Sequence, residues 1–190
     1  MRQRWTTGMF VAATLTLLPT GPFTLDRAAS RVEFFVSDNR GGFTGVAPDL
    51  SAQAEVREQD GTFAADVTVR IDARSITTGS GLRDSQMRRE FLRTDRFPDI
   101  TFRGAVVPVE PVTQLSFRAD ATGQLTINGV TREARFPVRV VALRDSYLVE
   151  GSTVVRMTEF GIPIPRFFIF VAEDPVKVTL KVRFQALAQK

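Results

Sequence analysis

From Phe23 to Phe184 apolar and polar residues alternate with a period of two, and no other feature limits the fold as tightly. Successive strand side chains point to opposite faces, so such alternation makes strands with one oily and one wet side. The last run is the clearest: Val176, Val178, Leu180, Val182 and Phe184 alternate with Lys177, Thr179, Lys181, Arg183 and Gln185. Earlier runs put Val32, Phe34 and Val36 on one face, then Ala52, Ala54 and Val56, then Val67, Val69 and Ile71. Ile100–Val109 carries Phe102, Leu115–Ile127 carries Leu125 and Ile127, and the next run carries Ala134, Phe136, Val138 and Val140. Tyr147–Met157 adds Val149, Gly151, Thr153 and Val155. Turn chemistry separates the runs, most clearly at Asn128-Gly129, a two-residue hairpin signal. The pattern predicts an all-β chain of about eight antiparallel strands. A closed up-and-down barrel suits it because closure leaves no exposed edge. A two-sheet sandwich is the alternative.

One segment departs from the alternation. Residues 81–92 read as a short helix, with Ser80 or Gly81 as N-cap and Asp84 in the first turn, where a carboxylate suits the helix dipole. Met87 and Phe91, four apart, fall on its greasy side. Inserted between two strands, it closes one end of the barrel; an ordinary connecting helix packed on a sheet is the plainer reading. Arg83, Arg89 and Arg93 offer guanidinium forks for a phosphate headgroup or an anionic membrane surface. A solvated face paired with Asp84, Glu90 and Asp95 competes with that.

The 190 residues include no Cys and no His, which removes zinc sites of the usual kind, thiolate chemistry, disulfides and every Ser-His or Cys-His dyad. No metal cluster or cofactor motif is expected. The carboxylate pairs Asp72 with Asp84 and Glu159 with Asp174 have no diagnostic spacing and are expected to be solvated or ion-paired, so no catalytic residue is assigned. The formal charge of +4 comes with 22 Arg among 25 basic residues, so the high isoelectric point reflects guanidinium more than a strong field. With Phe expected to face inward, no stacking platform for nucleic acid is expected.

Residues 1–22 read as a secretory signal peptide or N-terminal anchor: Arg2 and Arg4 precede the apolar run Met9–Leu18, and Pro19-Thr20-Gly21-Pro22 ends it. Residues 23–190 then form one lipid-binding β-barrel domain, in a periplasmic or secreted protein. A barrel of eight strands either fills with its own side chains or holds one small guest. The expected lumen lining is Val32, Phe34, Val36, Val67, Val69, Ile71, Met87, Phe91 and Phe102 in the first half of the chain. Leu125, Ile127, Phe136, Val138, Val155, Val178, Leu180 and Val182 complete it. Residues 162–171 are apolar on both alternating faces around Phe167–Val171, which fits a docking surface for a membrane-protein partner, a lid over the barrel mouth, or a homodimer contact.

Several pieces, in order, resemble the YceI-like family of periplasmic, lipocalin-like polyisoprenoid-binding proteins. They are Ser30–Val36, Ile71–Gly79, Arg83-Asp84 with Met87-Arg88, Phe97–Phe102, Thr122–Arg132, Glu159–Ile162 and Asp174–Val176. The resemblance spans about residues 23–187. It implies an eight-stranded antiparallel lipocalin-like barrel, secretion to the periplasm, and a lumen that takes a long-chain isoprenoid or lipid-like ligand. Histidines common in the family are absent here; Ala29, Asp38 and Gln86 stand at those places.

Overall fold

The alternating runs fold into the expected strands, and their oily faces meet. A computed structural model describes residues 18–59, 61–167 and 169–187. Among these, strands β1 (Gly21–Asp38), β2 (Phe43–Val46), β3 (Leu50–Gln59), β4 (Thr62–Asp72) and β5 (Asp99–Pro108) come first. They are followed by β6 (Ser116–Ile127), β7 (Val130–Ala142), β8 (Ser146–Arg156), β9 (Arg166–Phe167) and β10 (Phe170–Ala186). All lie in one antiparallel sheet, in the order β2-β1-β3-β4-β5-β6-β7-β8-β10-β9, and β1 also pairs with β10. That last pairing closes an eight-stranded barrel, with β2 and β9 as short additions at the rim.

β1 is longer than the alternation alone marks, starting at Gly21 rather than Arg31. Its register against β10 shifts between Asp26 and Arg31, where the Asp26 carboxylate accepts from the Ala28 and Ala29 N–H groups at 3.1 and 3.2 Å. This bulge bends the strand. The part before it pairs with β3, and the part after it pairs with β2. Gly104 and Gly123 face each other across β5 and β6, where a Cβ on either would fall 2.2 Å from a carbonyl oxygen of the opposite strand. Only glycine permits that approach.

The helical insert is shorter and less regular than expected. Helix α1 covers Gly81–Gln86, a π-turn follows over Met87–Phe91, and Arg93 ends it in the left-handed region at φ 48°. Ser80 is the N-cap residue, but its side chain makes no capping bond. Met87 and Phe91 are both half-buried and pack against two apolar clusters that share Leu92 and Ile100. Met87 packs with Ala47, Ala73 and Ile76, and Phe91 with Ile127, Met157 and Phe160. The 157–162 segment, including a 3-10 turn at Met157–Phe160, completes the closure of this end.

Asp84 is not a solvated dipole partner but a buried strut. Its carboxylate accepts from Thr77 Oγ1 at 2.7 Å, Thr78 N at 2.8 Å and Thr78 Oγ1 at 2.6 Å, with Arg88 Nη2 3.9 Å away. Desolvation, the largest single influence, raises its pKa; the Thr78 and Thr77 hydrogen bonds and Arg88 together overcome it and hold the carboxyl below its ordinary value. A carboxylate with a lowered folded pKa stabilises fully above its unfolded value, about 4, and loses that contribution as pH falls through the folded value. The Asp84→Asn variant is expected to lose about 1–3 kcal/mol in urea unfolding at pH 7, and its deficit against wild type should shrink at pH 3.

Candidate functional site: the lumen

A closed ring of strands gives every inward side chain the same destination, and what decides the lumen is how far each end is filled. At the helical end two clusters occupy the interior, one around Ile127, Met157, Phe160 and Ile162, the other around Ala47, Ala73 and Ile76. Away from that end the inward side chains leave a cavity of about 140 Å³. Its wall is apolar throughout except for one phenol. Tyr147 is 6% exposed, its ring meets Phe23 edge-on at 5.1 Å, and its hydroxyl donates to the Pro19 carbonyl at 2.6 Å, so its polar atom is satisfied by the chain itself.

The expected lining divides along the barrel axis. Val32, Val67, Val69, Phe102, Phe136, Val138, Leu180 and Val182 all border the cavity. Phe34, Val36, Ile71, Met87, Phe91, Leu125, Ile127, Val155 and Val178 do not border it. Most of these pack into the clusters at the helical end: Phe34, Ile71 and Met87 on one, Phe91, Leu125, Ile127 and Val155 on the other. The Phe34 ring also fills the space a Cβ would need at Gly45 on neighbouring β2. Alternation identifies a face, whereas position along the barrel decides whether that face meets space or a plug.

Wall residues outside the expected set come from strands all round the barrel. Phe23 and Leu25 lie on the first half of β1, and Ala52, Ala54 and Val56 supply the small-residue side of β3. Their alternation was a usable signal. Phe63, Pro108 and Phe117 border the cavity near the end opposite the helix. Leu18 borders it too and is 2% exposed, although it belongs to the apolar run read as part of the leader. No periodic signal marks it. The segment boundary drawn after residue 22 falls inside β1, and residues 1–17 of the leader reading lie outside the described residues.

The arginines read as headgroup contacts lie away from the cavity wall. Arg83 donates from Nε to Thr78 Oγ1 at 2.8 Å and lies 4.0 Å over the Phe43 ring. Arg93 donates from Nε to Asn128 Oδ1 at 2.9 Å, and Asn128 in turn donates to the Phe160 carbonyl at 3.1 Å. The Arg93–Asn128 bond ties the helical insert to the β6–β7 hairpin. Arg89 is exposed. The carboxylate pairs are structural: Asp72 accepts from Arg74 N, and Asp174 accepts from Thr158 N and Oγ1, each at 2.9 Å. In the 162–171 segment Ile162 is buried while Ile169 is 57% exposed; Phe168 lies outside the described residues.

A closed antiparallel barrel with a plugged end and an apolar interior defines a lipocalin-like architecture. The model of the YceI-like domain matches residues 23–184, and the chain belongs to that family. A UPF0312 protein of Pseudomonas aeruginosa is 30% identical over 118 residues, 54% of this chain and 59% of that protein. The chain thus spans less than two thirds of the length of the curated relatives it matches. Among solved structures, Burkholderia cenocepacia BcnA is similar with a TM-score of 0.71 at 20% identity, covering 84% of this chain and 98% of that one. A polyisoprenoid binding domain from Saccharophagus degradans, implicated in plant cell wall breakdown, has a TM-score of 0.70 at 18% identity, covering 89% and 100%. At these identities the two structures establish the fold.

Two outcomes are expected from this geometry. Leu18→Ala should cost about 2–5 kcal/mol of stability, as buried Leu truncations do, and enlarge the cavity, measured by urea unfolding and xenon binding. Burial pushes the Tyr147 phenol up from 10.0 to about 12. A raised folded pKa keeps its stabilising contribution below the unfolded value and loses it as pH rises towards the folded one. Wild type should therefore lose stability between pH 10 and about 12, while Tyr147→Phe shows a flatter profile over that range.

Proposed function

We propose that this protein binds an extended apolar chain, isoprenoid or lipid-like, within the barrel lumen, and carries it without chemical change. The observation that carries the proposal is the cavity wall: side chains from around the barrel present carbon to the interior, and the Tyr147 hydroxyl is turned to Pro19. Among the described residues nothing polar faces the cavity to hold a headgroup, so recognition there is by apolar burial, about 0.8 kcal/mol for each methylene withdrawn from water. Family membership supports the reading, as does the fold shared with a polyisoprenoid-binding domain. A binding role without catalysis is supported by the carboxylates that sequence offered for acid–base work, since Asp72, Asp84 and Asp174 are engaged in backbone and threonine contacts. No cofactor or nucleic acid enters this reading.

The cavity as it stands suits a guest about the size of benzene, which occupies a void of roughly 150 Å³. A long chain therefore requires the wall to move. Secretion to the periplasm is part of the same proposal, supported by the charged start and apolar run of residues 2–18. A second reading, docking to a membrane surface, a membrane-protein partner or another copy of the chain through residues 162–171, is favoured by the exposed Ile169 and Val171. Charging Ile169 to Glu tests it: lost membrane or partner association with ligand uptake intact supports docking.

Native mass spectrometry of the protein purified without detergent or organic solvent tests the main proposal. The expected result is a lipid-like adduct that organic extraction releases. The apoprotein mass alone, together with no saturable fluorescence from added cis-parinaric acid, would overturn it.

A further inference from the structure

The barrel wall is not equally bonded all round. β1 parts from β3 after Thr24, and β2 pairs with the same edge of β1 from Glu33 to Val36. Between β7 and β8 no strand among the described residues does so, and only at the helical end does the Met157–Phe160 turn lie against both. Their ladder runs only from Val138 opposite Gly151 to Ala142 opposite Tyr147. β7 stays paired to β6 from Val130 to Val141, and β8 stays paired to β10 from Ser146 to Arg156. Among the described residues, Val130–Pro137 of β7 and Ser152–Arg156 of β8 therefore have no strand partner on their facing sides.

The sequence supplies the reason. Asn128 at φ 52° and Gly129 at φ 77° form a two-residue turn, which makes Ile127 and Val130 a hydrogen-bonded pair. Odd-numbered residues of β7 consequently direct their backbone groups towards β8. Pro137 is the first such residue beyond the ladder, and proline has no N–H to donate. The free edges carry Glu133, Arg135 and Arg156, charges that discourage addition of another strand.

Two side chains of the inner face lie on the unpaired stretch of β7. Arg132 pairs with Leu125 and shares its inner face, yet Arg132 is exposed, and its guanidinium donates to the carbonyl of adjacent Thr131 at 3.3 Å. Phe136, on the unpaired stretch, also borders the cavity, its ring 5.6 Å from Phe102.

We propose that the β7–β8 seam is the portal through which the wall parts to admit the apolar chain, with Phe136 as the side chain standing between cavity and seam. This rests on the ligand-binding reading above. It also supplies the room that reading lacks, because widening the seam adds volume without breaking the remaining ladders.

The chain has no cysteine of its own, so a cross-link can be placed at will. Arg135→Cys with Val154→Cys, joined by a short bis-maleimide, fastens the seam from outside. Val154→Cys with Lys177→Cys, on strands already paired, is the control. Association of cis-parinaric acid is followed by stopped-flow fluorescence. Uptake roughly tenfold slower across the fastened seam, with the control unchanged, is the expected gating signature. Equal rates in both would overturn the portal while leaving ligand binding intact. No saturable binding by the unlinked protein would overturn both proposals.

Discussion

The pairing of β1 with β10 joins the first and last long strands of the sheet, and the rest of the structure depends on that closure. Without it the sheet would be an open ribbon with two free edges and an apolar face needing some other cover. With it, each alternating strand acquires an inside. The Asp26–Arg31 bulge matters because β1 must serve two neighbours on one side, β3 and then β2, while following β10 on the other.

Closure alone does not make a cavity. The interior is divided by what enters from its ends. The 81–97 insert and the Met157–Ile162 segment reach in at one end, held by Asp84 on the Thr77-Thr78 strap and by Asn128 between Arg93 and Phe160. Polar contacts thus serve the plug, while the cavity is left to carbon. At the other end Leu18 takes up room, and the Tyr147–Pro19 hydrogen bond holds its segment in place. The result is a small void in a wall whose resistance to widening varies around the ring. Apolar contacts carry little directional preference, so a chain can take the place of protein side chains provided one part of the wall yields.

Much of the fold was legible in the sequence. The strands from Thr62–Asp72 to the final run were marked by alternation, and the turn between β6 and β7 by Asn128-Gly129. The helical insert was legible as an interruption with Met87 and Phe91 on its apolar side, but its π-turn was not. Asp84 was misread because burial depends on the Thr77-Thr78 strap folding over it, which local pattern does not encode. For the lumen, Val67, Val69, Leu180 and Val182 could be placed on an inner face from the sequence, and so could Phe34, Ile127 and Val178. Nothing in the alternation separates the first group, at the cavity, from the second, away from it.

By itself, the sequence determined the kind of structure: period-two patterning with turn residues at intervals fixes strands, faces and antiparallel order, because side-chain direction follows local backbone geometry. The ordered pieces from Ser30–Val36 to Asp174–Val176 carried the family resemblance. Tertiary structure alone decided where the interior is empty, where it is plugged and where the wall is unbonded. Those properties depend on depth along the barrel axis and on segments distant in the chain, such as Leu18, Tyr147 and Phe160, meeting in space.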